Sequence, residues 1–140
     1  MKRRILIRKA TQVLRLPQIR ALRKADQEHN YVIGLDSSLA VLCIHLAAVG
    51  TVDLCHSHAR DVFRELIRHN CSQFIFVHNH PGGGPPSAGD QDVTDWLRKA
   101  GNWLGIPLVA HVLVPGESED PRDVGEPMDI LEPRRRRAKA

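Results

Sequence analysis

A chain of 140 residues, 42% hydrophobic and 4% aromatic, has the length of one domain with a mainly aliphatic core, which excludes two catalytic domains in series. No run of about 18 apolar residues is present to cross a bilayer, and Met1-Lys2-Arg3-Arg4-Ile5-Leu6-Ile7-Arg8 meets charge too early for a signal peptide, so no membrane partner and a cytoplasmic location are expected. The net charge of +4 conceals a segregation: residues 1–24 carry nine of the 20 Lys and Arg, residues 134–139 carry five, and residues 25–133 set six against all 16 acids, a net of −10.

Basic ends on an acidic body can meet a nucleic-acid backbone through counterion release, fold back on the body itself, or serve only solubility. Cys43, Cys55 and Cys71 are odd in number and lack CxxC spacing, which argues against a disulfide framework and against a thiolate zinc cluster. Histidine and carboxylate remain as metal ligands.

Along the chain, residues 3–24 place Ile5, Leu6, Val13, Leu14, Leu16, Ile19 and Leu22 among basic residues, and Pro17 interrupts any single helix. A short strand or helix and then a second helix are expected, together forming a basic amino-terminal extension over residues 1–25. Tyr31–Leu35 and Leu39–Ala48 are apolar around the turn signal Asp36-Ser37-Ser38, which reads as a β-hairpin. Val62, Phe63, Leu66 and Ile67 fall at helical spacing within Asp61–His69, and Phe74-Ile75-Phe76-Val77 reads as a buried strand. Gly and Pro then forbid regular structure from His78 to Ser87. Ser87 or Asp90 opens a helix with Val93, Leu97, Ala100 and Leu104 on one face, stopped by Gly105 and Pro107. Leu108–Val114 is the last strand. Residues 26–115 therefore form the expected domain, and residues 116–140, acidic and then arginine-rich, a mobile tail.

Side chains at i and i+2 of an extended segment share a face, so His78 and His80 can offer two imidazoles to one cation at the end of the buried strand. The glycine–proline loop turns the chain back, and Asp90 in the first turn of the next helix can add an oxygen. Two histidines and one carboxylate leave a fourth tetrahedral position open, the pattern of a catalytic zinc site. Attack of water on a carbonyl also needs a general base, for which Glu28, just before the first apolar strand, is a candidate. Ser87 can donate a hydrogen bond to a developing oxyanion. Each has a plainer alternative: Ser87 as a helix cap, Asp90 as a first-turn acid, Glu28 as an exposed strand-edge residue. A second HxH, His56 and His58, lacks a following loop and carboxylate and reads as surface or packing histidines.

The stretch FVHNHPGGGPPSAGD, followed by Thr94, the helix and GIPLVAHVLV, resembles the RadC-like branch of the JAB1/MPN/JAMM metalloprotease superfamily. Gln27-Glu28-His29 leading into YVIGLD, Gly50-Thr51 and His58–Val62 match that branch in order, so the resemblance covers about residues 26–114. It implies an α/β fold, MPN/JAMM-like and cytidine-deaminase-like, a three-layer domain with a curved mixed sheet flanked by helices. It implies one Zn2+ on His78, His80 and Asp90, with Glu28 as acid/base and Ser87 as transition-state helper. Eukaryotic members of the superfamily cleave isopeptide bonds to ubiquitin, whereas the RadC-like branch bears a DNA-repair name that its fold does not explain. Here the loop between Pro81 and Ser87 is one residue shorter than the usual pattern, a change able to shift Ser87 or Asp90 against the histidines. The expected function is a zinc-dependent peptidase or isopeptidase acting on an unidentified peptide or protein. The alternative is a non-catalytic, metal-bearing module that binds DNA or a protein partner. A metal nuclease is disfavoured, because His78-Asn79-His80 belongs to a single strand end.

Overall fold

The apolar runs on either side of Asp36 fold as an antiparallel hairpin in the computed structural model, which describes residues 3–50, 57–117 and 119–124. Strand β1 (Glu28–Leu35) and strand β2 (Val41–Gly50) meet at a turn that Asp36 organises with its side chain, its Oδ1 accepting the backbone N–H of Ser38 at 2.8 Å and of Ala40 at 3.0 Å. Leu39 takes a left-handed φ of 69°, unusual without glycine, and its fully buried side chain helps hold it there.

Helix α2 (Ala59–Arg68) buries Val62, Phe63 and Leu66 and leads into strand β3 (Gln73–Asn79), in which every residue is buried. Helix α3 (Ala88–Leu104) returns the chain to strand β4 (Leu108–Val114), parallel to β3, the crossover that a parallel pair requires. Gly105, at φ 71°, ends α3 in the left-handed conformation that glycine adopts without steric cost. The expected tail contributes strand β5 (Arg122–Asp123), paired with Leu113 and Val112, and Val124 is fully buried beside it. The remainder of that tail, from residue 125, lies outside the described residues.

The result, among the described residues, is a mixed five-stranded sheet in the order β2-β1-β3-β4-β5 with helices packed on it. Alternation along β3 separates two cores. Phe74 and Phe76 face α2 and α3 with Val62, Phe63, Leu66 and Leu97. Ile75 and Val77 face the opposite side, where Ile7, Val13, Leu16, Ile19 and Leu22 cover them. Those five belong to the basic segment expected as an extension. It folds as helix α1 (Pro17–Arg20) between short 3-10 helices at Ala10–Arg15 and Ala21–Lys24, and its apolar side chains make up much of one core.

Gly34 lies against the sulfurs of Cys43 and Cys71, themselves 3.7 Å apart, so no larger residue fits between strand and thiols. Burial pushes the Cys71 thiol up to about 12, and that of Cys43 also upward, which suits packing and not nucleophilic chemistry. Among the described residues no helix is long and apolar enough to cross a membrane.

Candidate metal and catalytic centre

His78 is the sixth residue of β3 and shares the face of Phe74 and Phe76, so the alternation that fills the α2–α3 core also carries its imidazole towards α3. His80 follows just past the strand end. Ser87 then caps α3: its Oγ accepts the backbone N–H of Asp90 at 3.2 Å, while its own N–H donates to Asp90 Oδ2 at 2.7 Å. This reciprocal cap fixes the Asp90 carboxylate at the helix start, facing the histidines. His78 Nε2 lies 3.2 Å from Asp90 Oδ1, His80 Nε2 lies 3.2 Å from Asp90 Oδ2, and the two Nε2 atoms are 3.0 Å apart. The one-residue-shorter loop has not separated Asp90 from the histidines.

Glu28 opens β1, one strand away, where Asn30 pairs with His78. The intervening Asn79 clamps the backbone on both sides of Glu28: its Oδ1 accepts the His29 N–H at 2.7 Å and its Nδ2 donates to the Gln27 carbonyl at 2.9 Å. One ligand-type atom from each of Glu28, His78, His80 and Asp90 lies within 4.8 Å of every other. His78 is buried and the other three half-buried. A cavity of about 20 Å³, room for one water-sized molecule, is lined by Glu28, His78 and Asp90 together with Phe76 and His111.

The donor set fits a divalent cation. Ligands 2.0–2.1 Å from a tetrahedral zinc stand about 3.3 Å from one another, close to the three separations among His78, His80 and Asp90. Burial pushes the Asp90 carboxyl upward, but its contacts with the His78 and His80 rings and the hydrogen bond from the Ser87 N–H outweigh it and hold the group well below the usual carboxylate range, so it is ionised. The Asp90 hydrogen bond raises His80, against burial, and the charges of Asp90 and Glu28 add to the rise. An electronegative pocket lined by ring nitrogens is arranged to receive positive charge.

Sequence reasoning gave no role to two further side chains here, although both fall in the stretches that carry the resemblance. His111 on β4 and Thr94 on α3 are both buried, with His111 Nε2 2.7 Å from His78 Nδ1 and Thr94 Oγ1 2.7 Å from His111 Nδ1. Burial holds His111 well below its ordinary value, so the ring is neutral. The available signal was a lone histidine inside an otherwise apolar strand. His58 stands exposed at the head of α2, apart from this cluster, and His56 lies outside the described residues. A shallower groove of about 410 Å³, lined by Ala59, Arg60, Phe63, Arg64, Ile67 and Leu104, contains no carboxylate, thiol or imidazole and offers no acid–base chemistry.

Comparison with known proteins agrees with the geometry. The family model described as a RadC-like JAB domain matches residues 7–119. A UPF0758 protein of Thermotoga maritima is 50% identical over 90 residues, 64% of this chain and 40% of that protein. One of Methanospirillum hungatei is 34% identical over 113 residues, covering 80% of this chain and 50% of the relative. One of Desulfitobacterium hafniense is 40% identical over 94 residues, 66% and 41% of the two chains. The chain thus spans 40–50% of the length of these curated relatives.

Proposed function

Because the chain belongs to the family of RadC-like JAB domains, we propose that it is a zinc-dependent hydrolase of the peptidase or isopeptidase type. In this reading His78, His80 and Asp90 hold the metal, Glu28 is the general acid/base and Ser87 steadies the oxyanion. The observation that carries it is the convergence of four donor atoms within 4.8 Å, three of them at tetrahedral spacing and the fourth, on Glu28, supplied by a neighbouring strand. When bound, zinc supplies Lewis acidity and lowers the pKa of a coordinated water to about 7.

The protein's own groups account for the rest. Glu28 takes up the proton released when water adds to the scissile carbonyl and returns it to the departing amine nitrogen, so no proton is lost to solvent. Asn79 keeps that carboxylate beside the cavity by holding the backbone on both sides of it. Ser87 Oγ accepts a bond from Asp90 N–H and so retains its own hydrogen for an oxyanion forming above the helix start. A peptide or protein substrate and a cytoplasmic location belong to this proposal, as does the finer fold reading, a curved three-layer sheet of the cytidine-deaminase-like kind. The catalytic unit is drawn from Ile7 to Val124, wider than the motifs alone suggest, because both ends contribute buried side chains.

The test is metal content and cleavage of a peptide and isopeptide library. Expected are about one zinc per chain, loss of zinc in His78→Ala or His80→Ala, and retention in His58→Ala. Glu28→Gln, nearly isosteric but unable to accept a proton, is expected to keep zinc and lose hydrolysis by about 10²- to 10⁴-fold. Zinc-loaded protein that cleaves nothing across the library overturns the hydrolase reading, and full activity in Glu28→Gln overturns the role of Glu28.

A further inference from the structure

A thread of three hydrogen bonds runs from the metal-facing side of β3 back into α3. Its first link is the 2.7 Å contact between His78 Nδ1 and His111 Nε2, and its second the 2.7 Å contact between His111 Nδ1 and Thr94 Oγ1. In its third, Thr94 Oγ1 lies 3.0 Å from the backbone carbonyl oxygen of Asp90, one turn earlier in α3. His78, His111 and Thr94 are at most 2% exposed, and the His111 ring stands edge-on to Phe76, 5.1 Å between centroids, so solvent does not compete for these links.

The direction of every proton in the thread follows from its far end. A carbonyl oxygen can only accept, so the single hydroxyl hydrogen of Thr94 goes to Asp90. Thr94 Oγ1 must then accept from His111, which places the His111 proton on Nδ1. A neutral imidazole with its proton on Nδ1 has a bare Nε2, which in turn accepts from His78 Nδ1–H. His78 is left with a bare Nε2, the atom that faces His80 Nε2 at 3.0 Å and Asp90 Oδ1 at 3.2 Å. The alternative tautomer would put an N–H where a ligand lone pair is required.

We propose that Thr94 and His111 are positioning residues that fix the tautomer and ring plane of His78, so that its Nε2 lone pair is presented to the metal. The thread begins and ends on proposed ligands, His78 through its side chain and Asp90 through its backbone, and so ties β3 and the first turn of α3 into one rigid unit. Outer partners of ligand histidines typically carry 10- to 100-fold of metal affinity. This inference rests on the metal reading of the site but not on hydrolysis.

Two measurements test it. Long-range ¹H–¹⁵N correlation spectra of the zinc-loaded chain, with each ring assigned through His78→Gln and His111→Gln spectra, should show both His78 and His111 protonated at Nδ1. Zinc affinity by chelator competition should fall 10- to 100-fold in Thr94→Val, which keeps shape but not the hydroxyl, and return in Thr94→Ser, with circular dichroism unchanged in both. A His111 ring protonated at Nε2 overturns the proposal, as does a folded Thr94→Val protein that binds zinc as tightly as the unaltered chain. Should Thr94→Val fail to fold, the spectra of the unaltered chain still decide. Zinc-loaded protein with these tautomers and no hydrolytic activity would overturn the hydrolase reading alone, whereas a chain that takes up no zinc overturns both.

Discussion

Asp123 holds its Oδ2 buried with no hydrogen-bond partner among the described residues, while Oδ1 accepts the backbone N–H of His111 at 3.3 Å. Burial pushes this carboxyl up to about 6. The unfolded chain releases the same proton near pH 4, so between these values the folded state binds more protons than the unfolded one. The contribution of Asp123 to stability is therefore full below about pH 4 and is lost as pH rises through about 6. Asp123→Asn removes that dependence: melting temperatures at pH 5 and pH 8 should show the variant gaining on the unaltered chain at the higher pH, and an equal difference at both values would contradict the assignment. How far single residues could be read from sequence varied with how local their partners are. His78, His80 and Asp90 were recognisable because strand alternation and a helix cap act over a few residues. Glu28 could be nominated but not placed, since it reaches the centre through the register of β1 on β3, which Asn79 reinforces across 50 positions. Thr94 and His111 look in sequence like a helix residue and a stray polar residue in a strand, and their link appears only when α3 crosses β4.

Element by element, the hairpin, α2, β3, α3 and β4 were legible from apolar periodicity and from Asp36, Ser87 and Gly105 as punctuation. The amino-terminal segment was not. Its apolar residues sit among nine cations, and its helical turns are too short to develop a periodicity, so it reads as an appendage. Packing shows the opposite, since Ile19 and Val13 are fully buried against the sheet. Ile19→Ala is expected to cost about 2–5 kcal/mol, the usual range for a buried aliphatic side chain, and to lower the urea midpoint accordingly. An appendage would show no such loss. The two-residue β5 also escaped notice, because nothing in Arg122-Asp123 announces a strand apart from the partner it joins.

Over the whole molecule, three of the nine amino-terminal cations reach partners beyond their own segment among the described residues. Arg4 meets Asp36 at 3.1 Å, Arg23 donates to the Glu117 and Glu119 carbonyls, and Lys24 lies 3.4 Å from Glu117. Of the two basic ends, the run 134–139 is therefore the better candidate to meet a phosphate backbone, although it lies outside the described residues. Deleting residues 134–140 is expected to weaken DNA binding and to lower the salt slope by up to about 4.5, since each contacted phosphate contributes about 0.9. An unchanged slope would remove that run from the interface. The pairing of β1 with β3 has one more consequence, for the order in which the centre is assembled. His78, His80 and Asp90 lie within one short stretch, so even an unfolded chain can loosely chelate a metal through them, which limits how far metal binding favours the native state. Glu28 joins only when a distant strand has docked, a slow, non-local step. In the proposed centre the three ligands can thus gather a metal before β1 has paired with β3, and the acid/base carboxylate arrives only with that pairing.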